Sequence, residues 1–281
     1  MSQTPASPSS GKEYVLGTGP EELERLGLQH RLWSDAATGA WRRAHLQRGQ
    51  RVLDIGCGPG YATLELAQLV GHAGEVVGVD ESAGYVEYLN GQSGARGLGQ
   101  ARGVVGDVQK LPQALGGASG FDLAYARWVL CFVPDPGAVV AGVAASLRRG
   151  GRFCVHDYFN YGAMTMAPRR AAHDRAVAAT ITSWHARGGD TDIMGKLPGL
   201  LEKHGMRVVH LEVHQRLARG HETMFQWPYV WWHTYTPKLV QMGYLTQADQ
   251  DELFRDLEES KRSATDFFLM PPVFEIIAER A

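Results

Sequence analysis

Cysteine is scarce: three residues in 281, at positions 57, 131 and 154. An odd number of scattered cysteines suits reduced, buried thiols in a cytoplasmic protein better than a disulfide framework or a zinc site. No apolar run reaches the roughly 18 residues of a membrane-spanning helix. Residues 1–12 lack the basic and then apolar order of a secretory signal. Excess charge of either sign is also missing, since 28 Lys and Arg face 30 Asp and Glu for a formal charge of −2. A chain without a basic footprint is a poor partner for a phosphate backbone. Neither nucleic acid nor a membrane is therefore expected as a partner. Cys-x-x-Cys pairs are absent, and no metal is expected.

What is present is an ordinary globular composition, 44% hydrophobic and 21% charged, with many glycines, 34 in all. Residues 1–13 are small and polar and are expected to form a disordered leader. Residues 14–48 are expected to form a helical lid. There Thr18 and Glu21 fit a capping box, and Leu23, Leu26, His30, Trp33 and Ala37 recur at helical spacing. From 49 to 160 short apolar strands (51–55, 75–79, 101–105, 121–126 and 152–158) alternate with helical stretches (61–70, 83–89 and 136–147). That alternation implies a parallel, doubly wound α/β sheet covered on both faces. Residues 161–281 read as a helical cap, with helices over 169–187, 192–204, 222–243 and 247–262. Strands over 207–218 and 267–280 accompany them. In the first of these, strict alternation would turn Val209, Leu211 and Val213 to the core and His210, Glu212 and His214 to solvent.

The segment Asp54-Ile55-Gly56-Cys57-Gly58-Pro59-Gly60 joins a strand to a helix. Glycines there allow a tight turn and a close ligand, and the helix N-terminus adds free N–H groups. The spacing is G-x-G-x-G rather than the G-x-G-x-x-G of a dinucleotide site, and no P-loop pattern occurs. A nicotinamide oxidoreductase is disfavoured on that count. Asp80 ends the second strand, twenty residues past Gly60, where an acid can accept hydrogen bonds from both hydroxyls of a ribose. Asp107 ends the third strand, within reach of an adenine amino group. Asp54 inside the loop would repel a pyrophosphate and stabilise a cation. The pattern asks for a nucleoside carrying positive charge and no phosphates.

Five ordered blocks over residues 51–158 (VLDIGCGPG, GVD, GDVQKLP, FDLAYARWVLCFVPDP and LRRGGRFCVHDY) resemble the class I S-adenosylmethionine-dependent methyltransferases. The resemblance implies a Rossmann-like, seven-stranded, mostly parallel sheet whose last strand is antiparallel, with a helical insert before that strand. It also implies S-adenosylmethionine as cofactor. Asp54, Gly56, Gly58 and Gly60 would wrap its methionine, Asp80 would hold the ribose, and Asp107 and Val108 the adenine. Ala126 and Arg127 would lie near the sulfonium. The lid's own cap and amphipathic pattern lead to the expectation that it closes over the cofactor, with Tyr14, Gln29 or His30 near it.

Methyl transfer from a sulfonium needs alignment and exclusion of water, with a base where the acceptor is a hydroxyl or ammonium. His156 and Tyr158, after the fifth strand, are candidates for base and acceptor contact. The second candidate region is 227–235, which places six rings in nine residues and offers His233 as the base. Trp231 and Tyr235 should share a face and Trp232 should point elsewhere. No Asn-Pro-Pro-Tyr-type block follows the fourth strand. The expected activity is methylation of a small aromatic or heteroaromatic metabolite of secondary metabolism on oxygen or nitrogen, by a monomer or homodimer. The alternatives are methylation on carbon or sulfur, or cofactor binding without transfer.

Overall fold

The computed structural model describes residues 19–281. Two helices lead in, α1 (Pro20–Leu32) and α2 (Ser34–Arg43). Strand and helix then alternate through β1 (Arg51–Ile55), α3 (Tyr61–Val70), β2 (Glu75–Asp80), α4 (Ala83–Ala95) and β3 (Ala101–Val105). The series continues through α5 (Leu111–Ala114), β4 (Phe121–Arg127), α6 (Pro136–Ser146) and β5 (Leu147–Tyr158). The remainder comprises β6 (Thr165–Ala167), α7 (Ala171–His185), α8 (Ile193–Lys203), β7 (Met206–His214) and β8 (Leu217–Arg219). It ends with α9 (Gln226–Gln241), α10 (Gln247–Arg262), β9 (Phe267–Leu269) and β10 (Val273–Arg280).

Seven strands form one sheet in the order β3-β2-β1-β4-β5-β10-β7. The first five are parallel, and β10 runs antiparallel to both neighbours. This is the seven-stranded Rossmann-like sheet the sequence implies. Strand order reverses between β1 and β4, which opens a crevice outside their carboxyl ends. Successive side chains of β1 and β4 alternate between two cores. Leu53, Ile55, Ala124 and Ala126 pack on one face of the sheet, and Val52, Leu123 and Tyr125 on the other, against Trp41 and Leu66. The three cysteines are buried and unpaired. No helix among the described residues is long and apolar enough to cross a membrane.

Three expectations need correction. The first concerns the start of α1, whose N-cap is Gly19 with no side-chain cap, in place of Thr18, which lies outside the described residues. Second, neither terminal segment is one strand. Each breaks, and β8, β9 and β6 form a separate three-stranded sheet in the order β6-β9-β8. Pro271 and Pro272 have no N–H to continue a ladder and divide β9 from β10. Third, the faces of β7 are not as alternation requires. The register shifts so that Val208 pairs with Ala278 and His210 with Ile277, leaving Val209 as the extra residue of a bulge. Leu211 and Val213 then stand 58% and 48% exposed, while His214 turns inward to the fully buried Glu275.

Candidate cofactor and acceptor site

A cavity of about 990 Å³ lies at the carboxyl ends of the strands, roofed by α1 and α9. Its floor at one end is the glycine loop. Gly56, Gly58 and Gly60 all have positive φ, so only glycine holds this turn without strain. Their roles differ. A Cβ at Gly58 would meet nothing, so that residue opens onto the cavity. A Cβ at Gly56 would strike Val129, and one at Gly60 would strike Leu89. Gly60 does not line the cavity; it serves as the N-cap of α3 and lets α4 pack close.

Three carboxylates surround this loop. Asp80 accepts backbone N–H bonds from Gly58 (2.9 Å) and Ser82 (2.9 Å), each on a different oxygen. Each oxygen keeps a further lone pair. Burial pushes the Asp80 carboxyl up, against those two bonds. Asp54 accepts from the Thr63 hydroxyl at 2.6 Å, and burial raises its pKa to about 7. Asp107 caps the turn at Val108 by accepting from the Gln109 backbone at 2.9 Å. Asp107 and Val108 both line the cavity, whereas Ala126 is buried in the core behind it.

Helix α1 turns an unusually polar face inward, burying Glu22 and Arg25, which pair at 2.6 Å. Gln29 and His30 line the cavity. Gln29 accepts bonds from Arg25 (3.2 Å) and from the Trp227 indole (3.0 Å) of α9. His30 Nδ1 lies 2.9 Å from Arg127 Nη2, and its Nε2 lies 3.0 Å from Glu65. A guanidinium only donates, so Nδ1 accepts, Nε2 carries the proton, and the ring is neutral. Burial, with Arg127 adding to it, holds the His30 pKa below its ordinary value against the bond to Glu65. Tyr61 of α3 fixes the same helix by donating to the Leu23 carbonyl at 2.9 Å. Tyr14 lies outside the described residues.

The other end of the cavity is aromatic. Trp128 holds a left-handed backbone, φ 54°, just past β4, a costly conformation for a bulky residue. Its ring stacks with Trp227 at 5.6 Å and with Tyr158 at 6.2 Å. Trp231 stacks on Tyr235 at 4.6 Å and meets Trp184 edge-on at 6.1 Å. All six rings line the cavity, while Trp232 turns away to pack on His173. Sequence reasoning found Tyr158 and the 227–235 run. It missed Trp128 and Trp184, which no spacing connects to them.

Neither proposed histidine reaches this chamber. His156 is 1% exposed on the far side of β5. Its Nδ1 faces the Tyr125 hydroxyl at 3.3 Å and its Nε2 faces Glu275 at 3.2 Å. Glu275 also receives Arg43 at 2.6 Å and His214 at 3.0 Å. This cluster ties α2 to β5, β10 and β7. Burial would raise the Glu275 carboxyl, but its bonds from His156, His214 and Arg43 prevail and hold it far below the ordinary range. His233 points to α10, stacked on Phe254 at 4.3 Å, with Nδ1 2.8 Å from the Tyr229 carbonyl.

Residues 46–211 match the family described as "Methyltransferase domain". The aklanonic acid methyltransferase of Streptomyces sp. (strain C5) is 36% identical over 106 residues, 37% of this chain and 46% of that one. The demethylmenaquinone methyltransferase of Geobacillus kaustophilus is 33% identical over 110 residues, 39% of this chain and 46% of that one. The chain thus spans less than half the length of these curated relatives. A geranyl diphosphate methyltransferase solved in complex with S-adenosylmethionine shares the fold at TM-score 0.55 and 16% identity, over 98% of this chain and 93% of that one. The G-x-G-x-G turn, the acids closing β2 and β3, the seven-stranded order and the match over 46–211 agree: the chain belongs to the class I S-adenosylmethionine-dependent methyltransferase family.

Proposed function

We propose that this protein transfers a methyl group from S-adenosylmethionine to an oxygen or nitrogen of a small aromatic or heteroaromatic metabolite. One observation carries the reading: a single cavity joins a nucleoside-type glycine loop to a chamber walled by six aromatic rings. The residues present fit the cofactor. Gly58 leaves an open cradle over the loop, Asp80 has a free lone pair on each oxygen for a diol, and Asp107 and Val108 flank the space for a base. Asp54 at the loop would repel a pyrophosphate.

When bound, S-adenosylmethionine supplies a methyl group on a sulfonium that departs as a neutral thioether. The chain itself has three tasks. Its loop and Asp80 fix the nucleoside, α1 closes the roof, and the stacked rings of Trp128, Trp227 and Tyr158 hold a flat acceptor and exclude water. The names of the relatives, which include aklanonic acid, demethylmenaquinone and O-methyl transfer, support a small-molecule acceptor. Buried free thiols support a reducing, cytoplasmic setting.

Calorimetric titration with S-adenosylmethionine and with NADH tests the first half of this reading. Tight binding of the former and none of the latter is expected; the reverse overturns it. A screen of aromatic hydroxyls and amines with methyl-labelled S-adenosylmethionine tests the second half. Binding without transfer to any of them would leave a cofactor-binding protein.

A further inference from the structure

The chamber has aromatic walls and, among the described residues, no carboxylate or free imidazole of its own. Among the described residues lining the cavity, the carboxylates Asp54, Asp80, Glu81 and Asp107 all sit at the ends of β1, β2 and β3, around the glycine loop. His30 is the one lining imidazole, and both of its nitrogens are engaged. The chamber's own titratable groups are Tyr158, Tyr161 and Tyr235, and burial pushes the first two phenols up, away from ionisation. Tyr235 shares its hydroxyl with Ser183 at 2.8 Å.

Among the described residues, the charged groups lining the chamber are cations. Arg25 approaches Trp231 at 5.7 Å but is matched by Glu22. Arg187 lies at the rim, against Met242. Arg127 stands 5.1 Å from the Trp128 ring and, among the described residues, forms no ion pair within 4.0 Å, although its charge also acts on Asp54 at the loop; its bond goes to neutral His30, and its Nη1 has no hydrogen-bond partner among those residues.

Resting on the methyltransferase reading, we infer that the acceptor enters as an oxyanion, a phenolate or enolate already ionised at the working pH. In the step, the oxyanion's lone pair forms the new O–C bond, the S–C pair remains on the departing sulfur, and no proton moves. A cationic donor and an anionic acceptor become two neutral products. Loss of both charges is helped by a water-poor, low-dielectric chamber. A neutral amine would instead leave a new ammonium beside Arg127, while the lining carboxylates gather at the glycine loop rather than in the chamber.

Titrating 4-nitrophenol and its near-isostere 4-nitroaniline into the protein across pH tests this directly. Affinity for the phenol should climb about tenfold per pH unit up to its own ionisation and then level off. The aniline should bind at least about tenfold more weakly throughout. With methyl transfer as readout, the low-pH limb should move with the ionisation of each phenol in a substituted series. Arg127→Gln should lower phenolate affinity about tenfold without changing that of the aniline, and Arg127→Lys should restore most of it. A limb fixed at one pH for every phenol would reveal a protein base and overturn the inference. Equal or better binding of the aniline, or no binding of either probe, would overturn it too. Failure to bind S-adenosylmethionine in a parallel titration would instead overturn the reading beneath it.

Discussion

The two ends of the cavity are made from different materials. At the glycine loop the surface is mostly backbone: Gly58 without a side chain, N–H groups of Gly58 and Ser82 held by Asp80, and a turn at Asp107. These pieces are local, each sitting where a strand stops. At the aromatic end the surface is side chain, drawn from the residue after β4 and from β5, α7 and α9, so that Trp128 touches a residue 99 positions away in Trp227. Backbone geometry at a strand end leaves a readable spacing. Ring packing between distant helices does not.

Substitutions can pull the two ends apart. Asp80→Ala should have the largest effect. It deprives a ribose of its charged partner, and such hydrogen bonds are worth about 1.5–3 kcal/mol. Cofactor affinity by calorimetry should fall at least about tenfold, and unchanged affinity in a folded variant would remove Asp80 from the site. Trp231→Ala should act at the other end, raising the acceptor KM by about tenfold through the lost stack on Tyr235, with cofactor affinity held within about twofold. Equal damage to both ligands would mean the ends are not separable.

Asp54→Asn splits binding from stability. The Asp54 carboxyl titrates at 3.8 when unfolded and at about 7 when folded, so the native chain binds the extra proton. Native stability therefore drains away as pH rises between those values, and the full cost stands above pH 7. The variant should weaken cofactor binding yet melt higher than wild type above pH 7, by at most about 4 kcal/mol. The advantage should vanish below pH 3.8. Melting curves against pH decide it. The smallest effect belongs to His233→Gln, which should leave turnover within about threefold and both limbs of the pH profile in place, because His233 faces Phe254 rather than the chamber. Loss of a limb near neutral pH would return it to the site.

How much the sequence disclosed follows the same division. The alternating strands and the loop acids are legible because short apolar strands with abrupt glycine turns announce themselves, and the family resemblance supplied the last two strands. The aromatic run at 227–235 is legible as an excess, and helical spacing separates Trp231 and Tyr235 from Trp232. Which histidine does what is not legible. His156 alternates along β5 onto the face covered by α2, and only the fold brings Glu275 to it. The faces of β7 depend on one inserted residue, Val209, and a bulge carries no composition of its own. Three-residue strands such as β6 and β8 are too short for any periodicity.

Helix α1 belongs to both ends at once. His30 fastens it to Arg127 and Glu65 beside the loop, and Gln29 fastens it to Trp227 over the chamber. If exchange of the nucleoside requires both fastenings to open, exit rather than chemistry would pace turnover, and stopped-flow should show a rapid first turnover before a slower steady state; a linear time course from the first turnover would count against it.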